Sequence, residues 1–414
     1  MNTGDTAWML TATALVLFMT PGLAFFYGGM VRSKNVLGML MQNIFAMGLV
    51  AVIWVVIGFS LAFGNFGDGG LLGGLHYFGL ANVDAKAGLG LTIPFVLFAA
   101  YQMTFAVITP ALITGATADR LKFSAYAVFV GIWMVLVYAP IAHWVFGGGW
   151  LAARGALDFA GGAVVHMNAG AAALALVLVL GKRKGWPAER MRPHSLPLTM
   201  LGTGILWFGW FGFNAGSALA ANGLAGQATM NTFVAASAAM LGWLLIERLR
   251  EGNATTLGAA SGIVAGLVAI TPCAGFVGTM PAVVIGFVTG VVCFLAISLK
   301  ERFGYDDALD VVGVHLVGGL AGTLLLGLFA DTAINPAGRD GLFIGGGVGL
   351  LGEQALAAVV TLVFSFVVSF IIAKGIDATI GLRVDEATEA EGLDLALHAE
   401  TAYSYGDLGS MGRI

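Results

Sequence analysis

Long apolar runs separated by short polar stretches occupy the chain from near its start to about position 374. A helix needs roughly 20 mostly apolar residues to cross a hydrocarbon core about 30 Å thick, because it rises about 1.5 Å per residue. Eleven windows reach that length: 8–31, 38–63, 93–117, 123–147, 162–181, 197–219, 229–247, 255–274, 279–299, 309–330 and 350–374. The first begins too near Met1 to read as a cleavable basic leader, since Asp5 is the only charge before it, so it is expected to be a true span. The pattern predicts an all-α polytopic membrane protein, with a transmembrane domain over 1–374 and a tail over 375–414.

Composition agrees with a chain solvated by lipid. It is 58% hydrophobic and only 10% charged, with a mean hydropathy of +0.91, whereas a soluble domain carries about 25% charged residues. The 62 glycines recur inside the apolar runs, where small residues let helix backbones approach closely. A net charge of −4 and the absence of a basic, aromatic-interleaved run exclude a nucleic-acid partner. Cys273 and Cys293 fall in different apolar segments, which argues against a disulfide or a metal pair.

Charge also orients the spans. With the N-terminus outside, the cytoplasmic loops and tail hold sixteen of the nineteen basic residues, including Lys182, Arg183, Lys184, Arg190, Arg192 and Arg413; only Lys86, Arg154 and Arg339 fall outside. This positive-inside bias supports an odd number of spans and a cytoplasmic C-terminus independently of hydropathy. The tail carries eight acidic residues, from Asp377 to Asp407, against two arginines. Composition alone reads it as a solvated, disordered appendage, or as a docking segment for a regulator.

Two histidines stand inside apolar windows. His166 lies in Val165-His166-Met167-Asn168-Ala169-Gly170 and His315 in Val314-His315-Leu316-Val317-Gly318-Gly319, both V-H-x-x-small-Gly, with Asp158 and Asp310 upstream. The similarity points to an inverted repeat of two five-span halves, about 8–181 and 197–330, plus an eleventh helix at about 350–374, with the functional site at their interface. An ionisable residue in a span is expensive and marks a pathway by default. A lone buried histidine is more often a hydrogen-bonded core residue, but two at matched repeat positions favour a path, since imidazole both donates and accepts and exchanges a proton near neutral pH.

No H-E-x-x-H helix or third ligand accompanies the pair, so neither a metal nor a cofactor is expected. A membrane enzyme would need a nucleophile or metal set, and none is legible. Asp158 can cap the helix that follows it and place negative potential at a pore mouth. Tyr101, Phe105, Trp144, Phe146, Trp150, Trp207, Trp210, Phe211 and Phe213 fall near the outer halves of their spans. Many are expected in the interfacial belt, and inward-facing ones could hold a small cation by their ring quadrupoles.

At these residues the chain resembles the Amt/Mep/Rh ammonium transporters, specifically the prokaryotic Amt branch, over nearly its whole length. The matching segments are DFAGGAVVHMNAG from Asp158 to Gly170, running on to Gly181-Lys182-Arg183; FFYGGM at 25–30; Tyr101-Gln102-Met103-Thr104-Phe105; WFGFNAGS from Trp210 to Ser217; and DVVGVH from Asp310 to His315. The resemblance implies an eleven-helix protomer with its N-terminus outside, an inverted five-helix repeat, and a homotrimer with one pore per protomer in the cell (inner) membrane. By motif position it puts Tyr101, Phe146 and Ser217 in an outer vestibule that recruits ammonium, Phe105 and Phe213 at a gate, and His166 and His315 on the pore-lining pair, with Asp158 in support.

Two positions depart from the family pattern. Phe146 stands where a tryptophan is usual, which weakens cation attraction, and Tyr101 stands where phenylalanine is usual, adding a hydroxyl. The tail segments GLRVDE at 381–386 and EGLD at 391–394 resemble the Amt tail that couples protomers and supports docking of a PII-type signalling protein. The implied activity is electrogenic ammonium transport, with deprotonation near the vestibule and separate passage of ammonia and proton. The other functional class in view is an ammonium sensor with little flux.

Overall fold

In a computed structural model of the chain, residues 1–189 and 191–403 are described; Arg190, Asp407 and Arg413, which entered the charge pattern, lie outside them. The apolar windows are helical because lipid offers backbone N–H and C=O groups no partners, so each segment must satisfy its own. Among the described residues, ten helices are long and apolar enough to cross a membrane. They are α1 (Thr3–Met30), α2 (Val36–Phe63), α3 (Phe95–Thr117), α4 (Phe123–Arg154, with a break at 146–149), α5 (Gly162–Leu180), α6 (Leu196–Gly216), α7 (Gly223–Glu251), α9 (Thr279–Phe303), α10 (Val312–Phe329) and α11 (Gly349–Thr379). Between α7 and α9 lies α8 (Thr256–Ile270), a shorter apolar helix. The window 255–274 predicted a longer one. The chain instead turns at 271–277, where Pro272 has no N–H to continue the ladder and its ring packs against Gly162 at the start of α5. This is an all-helical, multi-pass membrane protein.

Small residues set the helix spacing. A Cβ at Gly202 of α6 would lie 2.2 Å from the Phe26 nitrogen of α1, and one at Gly22 of α1 would lie 2.6 Å from Ile205. The same device joins the two histidine segments. A Cβ at Gly170 would lie 2.5 Å from the Leu316 nitrogen, and one at Gly319 would lie 2.9 Å from the Gly162 oxygen. The terminal glycine of each V-H-x-x-small-Gly motif is therefore where the two histidine segments touch.

The tail differs from the solvated appendage that its composition predicts. Residues 381–403 pack on the basic end of the bundle and include α12 (Glu386–Glu391) and α13 (Leu393–His398). Asp394 accepts the Leu37 and Gly38 N–H groups at 3.0 and 2.8 Å, capping the start of α2, where anionic charge is favourable. Glu389 accepts from Arg383 at 2.6 Å and from the Lys184 N–H at 2.7 Å. Backbone bonds from Lys122 to Leu382 and from Val384 to Arg120 complete the dock. Glu389 and Asp394 face a cation and a helix terminus rather than water, while the other acidic residues described in the tail stay exposed, a pairing visible only once distant segments meet.

Candidate functional site

His166 and His315 come together at the centre of the molecule. Their rings lie 5.4 Å apart between centroids and their Nδ1 atoms are 3.3 Å apart. Both side chains are buried, and His166 Nε2 has no hydrogen-bond partner among the described residues. With both rings neutral, one Nδ1–H donates to the other Nδ1. One Nε2 must then be a donor and the other an acceptor, so the pair is a polar strip in an apolar wall.

The local backbone explains how the histidines are placed. Each helix begins with a wide turn whose hydrogen bonds span five residues: Gly162–Met167 in α5 and Val312–Leu316 in α10. Such π turns turn side chains off the regular helical stripe and cluster at functional positions. Asp158 anchors the first turn, accepting the Gly161 and Gly162 N–H groups at 2.7 Å each, Ala163 at 2.9 Å and Val164 at 3.2 Å. Burial pushes the Asp158 carboxyl up from its ordinary range and these four donors oppose it. The carboxylate is occupied by the backbone, which leaves it a structural support.

The sequence pairing of Asp158 with Asp310 does not hold in three dimensions. Asp307 occupies the equivalent place, eight residues before His315 as Asp158 is before His166, and accepts the Val311 and Val312 N–H groups at 3.1 and 2.7 Å. Burial, with Asp310 alongside, pushes the Asp307 carboxyl up. Asp310 has a positive φ of 63° and instead meets Lys300 Nζ at 2.5 Å. Asp310 opens the matching sequence motif, but the cap is set by spacing from the histidine.

Above His166 stand the aromatic groups. Phe105 of α3 and Phe213 of α6 are stacked, 4.1 Å between centroids and 25° between planes, and are fully buried between His166 and the cavity lined by Phe146 and Ser217. Phe213 lies 6.1 Å from His166, and Trp210, one turn earlier on α6, stacks on the imidazole at 5.4 Å. Trp210 had only been placed among the outer aromatics. Its three-residue spacing from Phe213 on one helix put it on the gate's face, a signal present in the sequence. Trp210 Nε1 donates to Thr271 at 2.9 Å, fixing the ring.

Beyond the gate is a cavity of about 140 Å³, walled in part by Phe105, Phe146 and Ser217, together with Gln102, Phe159 and Leu219. The C-terminal end of α6, whose partial negative charge favours cations, reaches this cavity at Ser217. Tyr101 does not reach it. The residue is buried, with its ring 5.0 Å from Phe105 and its hydroxyl 2.9 Å from both the Gly212 and Phe213 carbonyls and 3.3 Å from Ser217 Oγ. On the far side of the histidines a cleft of about 10 Å³ is bounded by Tyr27, Leu309, Val314 and His315. Cavity, stacked rings, paired imidazoles and the small cleft thus form one series.

Comparison with known proteins identifies the family. A family model described as Ammonium Transporter Family matches residues 7–403. The ammonium transporter of Mycobacterium tuberculosis (strain H37Rv) is 54% identical, over 97% of this chain and 90% of its own. That of Bacillus subtilis is 50% identical, over 97% and 99%. The crystal structure of Candida albicans Mep2 superposes with a TM-score of 0.88 at 37% identity, covering 94% of this chain and 87% of that one. A structure described as a sensor Amt protein superposes with a TM-score of 0.87 at 29% identity, covering 95% and 98%. A family match across residues 7–403 and relatives at half identity over nearly the full length establish that this chain belongs to the ammonium transporter family.

Proposed function

We propose that the chain moves ammonium across the cell membrane by recruiting the cation in the outer cavity, deprotonating it there, and passing ammonia between Phe105 and Phe213 and along His166 and His315. The proton follows a separate relay through the imidazole pair, which makes transport electrogenic. The observation that carries this reading is the 3.3 Å contact between two buried imidazoles directly behind a closed aromatic gate. Moving an ammonium-sized ion from water into a medium of protein-interior dielectric costs on the order of 20 kcal/mol in the idealised limit. Neutral ammonia avoids most of that cost, and an Nε2 that donates or accepts gives it a hydrogen-bond partner beyond the gate. Potassium has no proton to shed and is rejected.

Within this reading the protomer crosses the membrane eleven times, α8 completing a crossing with the turns after it, and the N-terminus lies outside. Assembly as a homotrimer and docking of a PII-type protein on the basic end follow from the resemblance. The likeness to a sensor Amt protein favours one rival, in which ammonium is bound with little flux. Ammonium-evoked current in proteoliposomes separates the two. Wild type gives a saturable current with ammonium and none with potassium, and His166→Ala reduces it at least tenfold. Ammonia uptake without current defeats the electrogenic relay, and the absence of both in folded protein supports the sensor.

A further inference from the structure

Gln102 stands out in the outer cavity because the polar groups around it account for everything except its own amide. Beyond the residues already named, the cavity wall is Phe66, Leu89, Leu91 and Phe98, so Gln102 and Ser217 are its two polar side chains. Gln102 is 9% exposed, and its side chain makes no hydrogen bond among the described residues. Its amide atoms are not among the fully buried unpartnered ones but open onto the cavity, so they can meet a polar partner that enters it. Phe98, Gln102 and Phe105 follow one another at spacings of four and three along α3, which puts all three on the face that meets the cavity.

The other oxygens nearby are already engaged. The Tyr101 hydroxyl is held at the Gly212 and Phe213 carbonyls. Ser217 donates its proton to the Phe213 carbonyl at 2.8 Å, so its Oγ can still accept. An ammonium ion carries four N–H donors and loses water on entering a wall that is otherwise apolar. One acceptor and the faces of Phe105 and Phe146 leave donors unmet, and a phenyl ring attracts a cation less strongly than an indole. Resting on the reading that this cavity receives ammonium, we infer that Gln102 is a recruitment ligand whose amide carbonyl accepts an N–H of the bound cation opposite Ser217. The carbonyl is neutral, so it holds the cation without trapping it as a carboxylate would.

The test uses two readouts on full-length protein: the ammonium dependence of current in proteoliposomes, and ammonium-induced thermal stabilisation of the purified protein. Gln102→Leu keeps volume and removes the acceptor. The half-saturating ammonium concentration is expected to rise about tenfold, more than the saturated current falls, and stabilisation by ammonium to weaken in parallel. If the substitution impairs folding, Gln102→Glu retains the shape and adds charge. It is expected to lower the half-saturating concentration and to make it depend on pH as the new carboxyl titrates. Wild-type current with an unaltered concentration dependence in both variants overturns the assignment of Gln102 and leaves the transport reading intact. No current in wild type, but stabilisation that Gln102→Leu abolishes, overturns transport and keeps Gln102 as a ligand. Neither current nor stabilisation in wild type overturns both.

Discussion

The vestibule residues separate into those that touch the cavity and those that hold them. Tyr101 belongs to the second group. Its phenol, drawn by two carbonyls at the C-terminal end of α6, braces the backbone that carries Phe213 and Ser217. Phe146 belongs to the first, on the wall and 6.4 Å from Phe105 at an angle of 88°. Replacing Phe146 with tryptophan should therefore act on binding directly. Because an indole face attracts a cation more strongly than a phenyl, and the whole interaction is worth about 0.5–1 kcal/mol at an exposed site, Phe146→Trp is expected to lower the half-saturating ammonium concentration by up to about fivefold. An unchanged concentration dependence would remove Phe146 from the recruitment site.

At the scale of elements, the site depends on two matched segments, each an aspartate cap, a wide turn bearing a histidine, and a glycine four residues later. The glycines let α5 and α10 close on one another until the imidazoles touch. Gly170→Ala should prise them apart, since the added methyl has the Leu316 backbone nitrogen at 2.5 Å and neither side can yield by a rotamer change. Overpacking of this kind costs about 1–3 kcal/mol. The variant is expected to show a lower melting temperature and a loss of current well beyond what the stability change alone explains, because the 3.3 Å imidazole contact is lengthened. Full current in Gly170→Ala would show that conduction tolerates a separated pair.

For the molecule as a whole, charge is distributed unevenly between its two ends. The basic loops and the acidic tail meet at one end, and the loop over 64–94 caps the other beside the outer cavity, to which it contributes Phe66, Leu89 and Leu91. Cys273 and Cys293 are buried and unpaired, so they do not report on either face. Cysteines introduced at the exposed positions Ala85 and Ala387 can be labelled selectively. A membrane-impermeant maleimide added to intact cells should label Ala85→Cys and spare Ala387→Cys until the membrane is opened. The opposite pattern would invert the topology assigned from the positive-inside bias.

Ten of the eleven expected spans, the histidine pair and the aromatic segments around it were legible in the sequence, because bilayer thickness and the cost of a polar group in lipid act on each residue locally. Three features were not. The engagement of the Tyr101 hydroxyl depends on carbonyls more than a hundred residues away. The equivalence of Asp307 with Asp158 depends on which backbone N–H groups each carboxylate meets. The docked tail depends on Asp394 meeting the start of α2, and α12 and α13 carry no apolar signal strong enough to reveal it. The sequence by itself determined a multi-pass helical chain with two costly imidazoles in apolar windows, since hydropathy and spacing are properties of the chain alone. Only the tertiary structure decided which polar groups were satisfied and which remained free, because a hydrogen bond needs both partners in place. That difference leaves Gln102, unremarkable in sequence, facing the outer cavity unpaired.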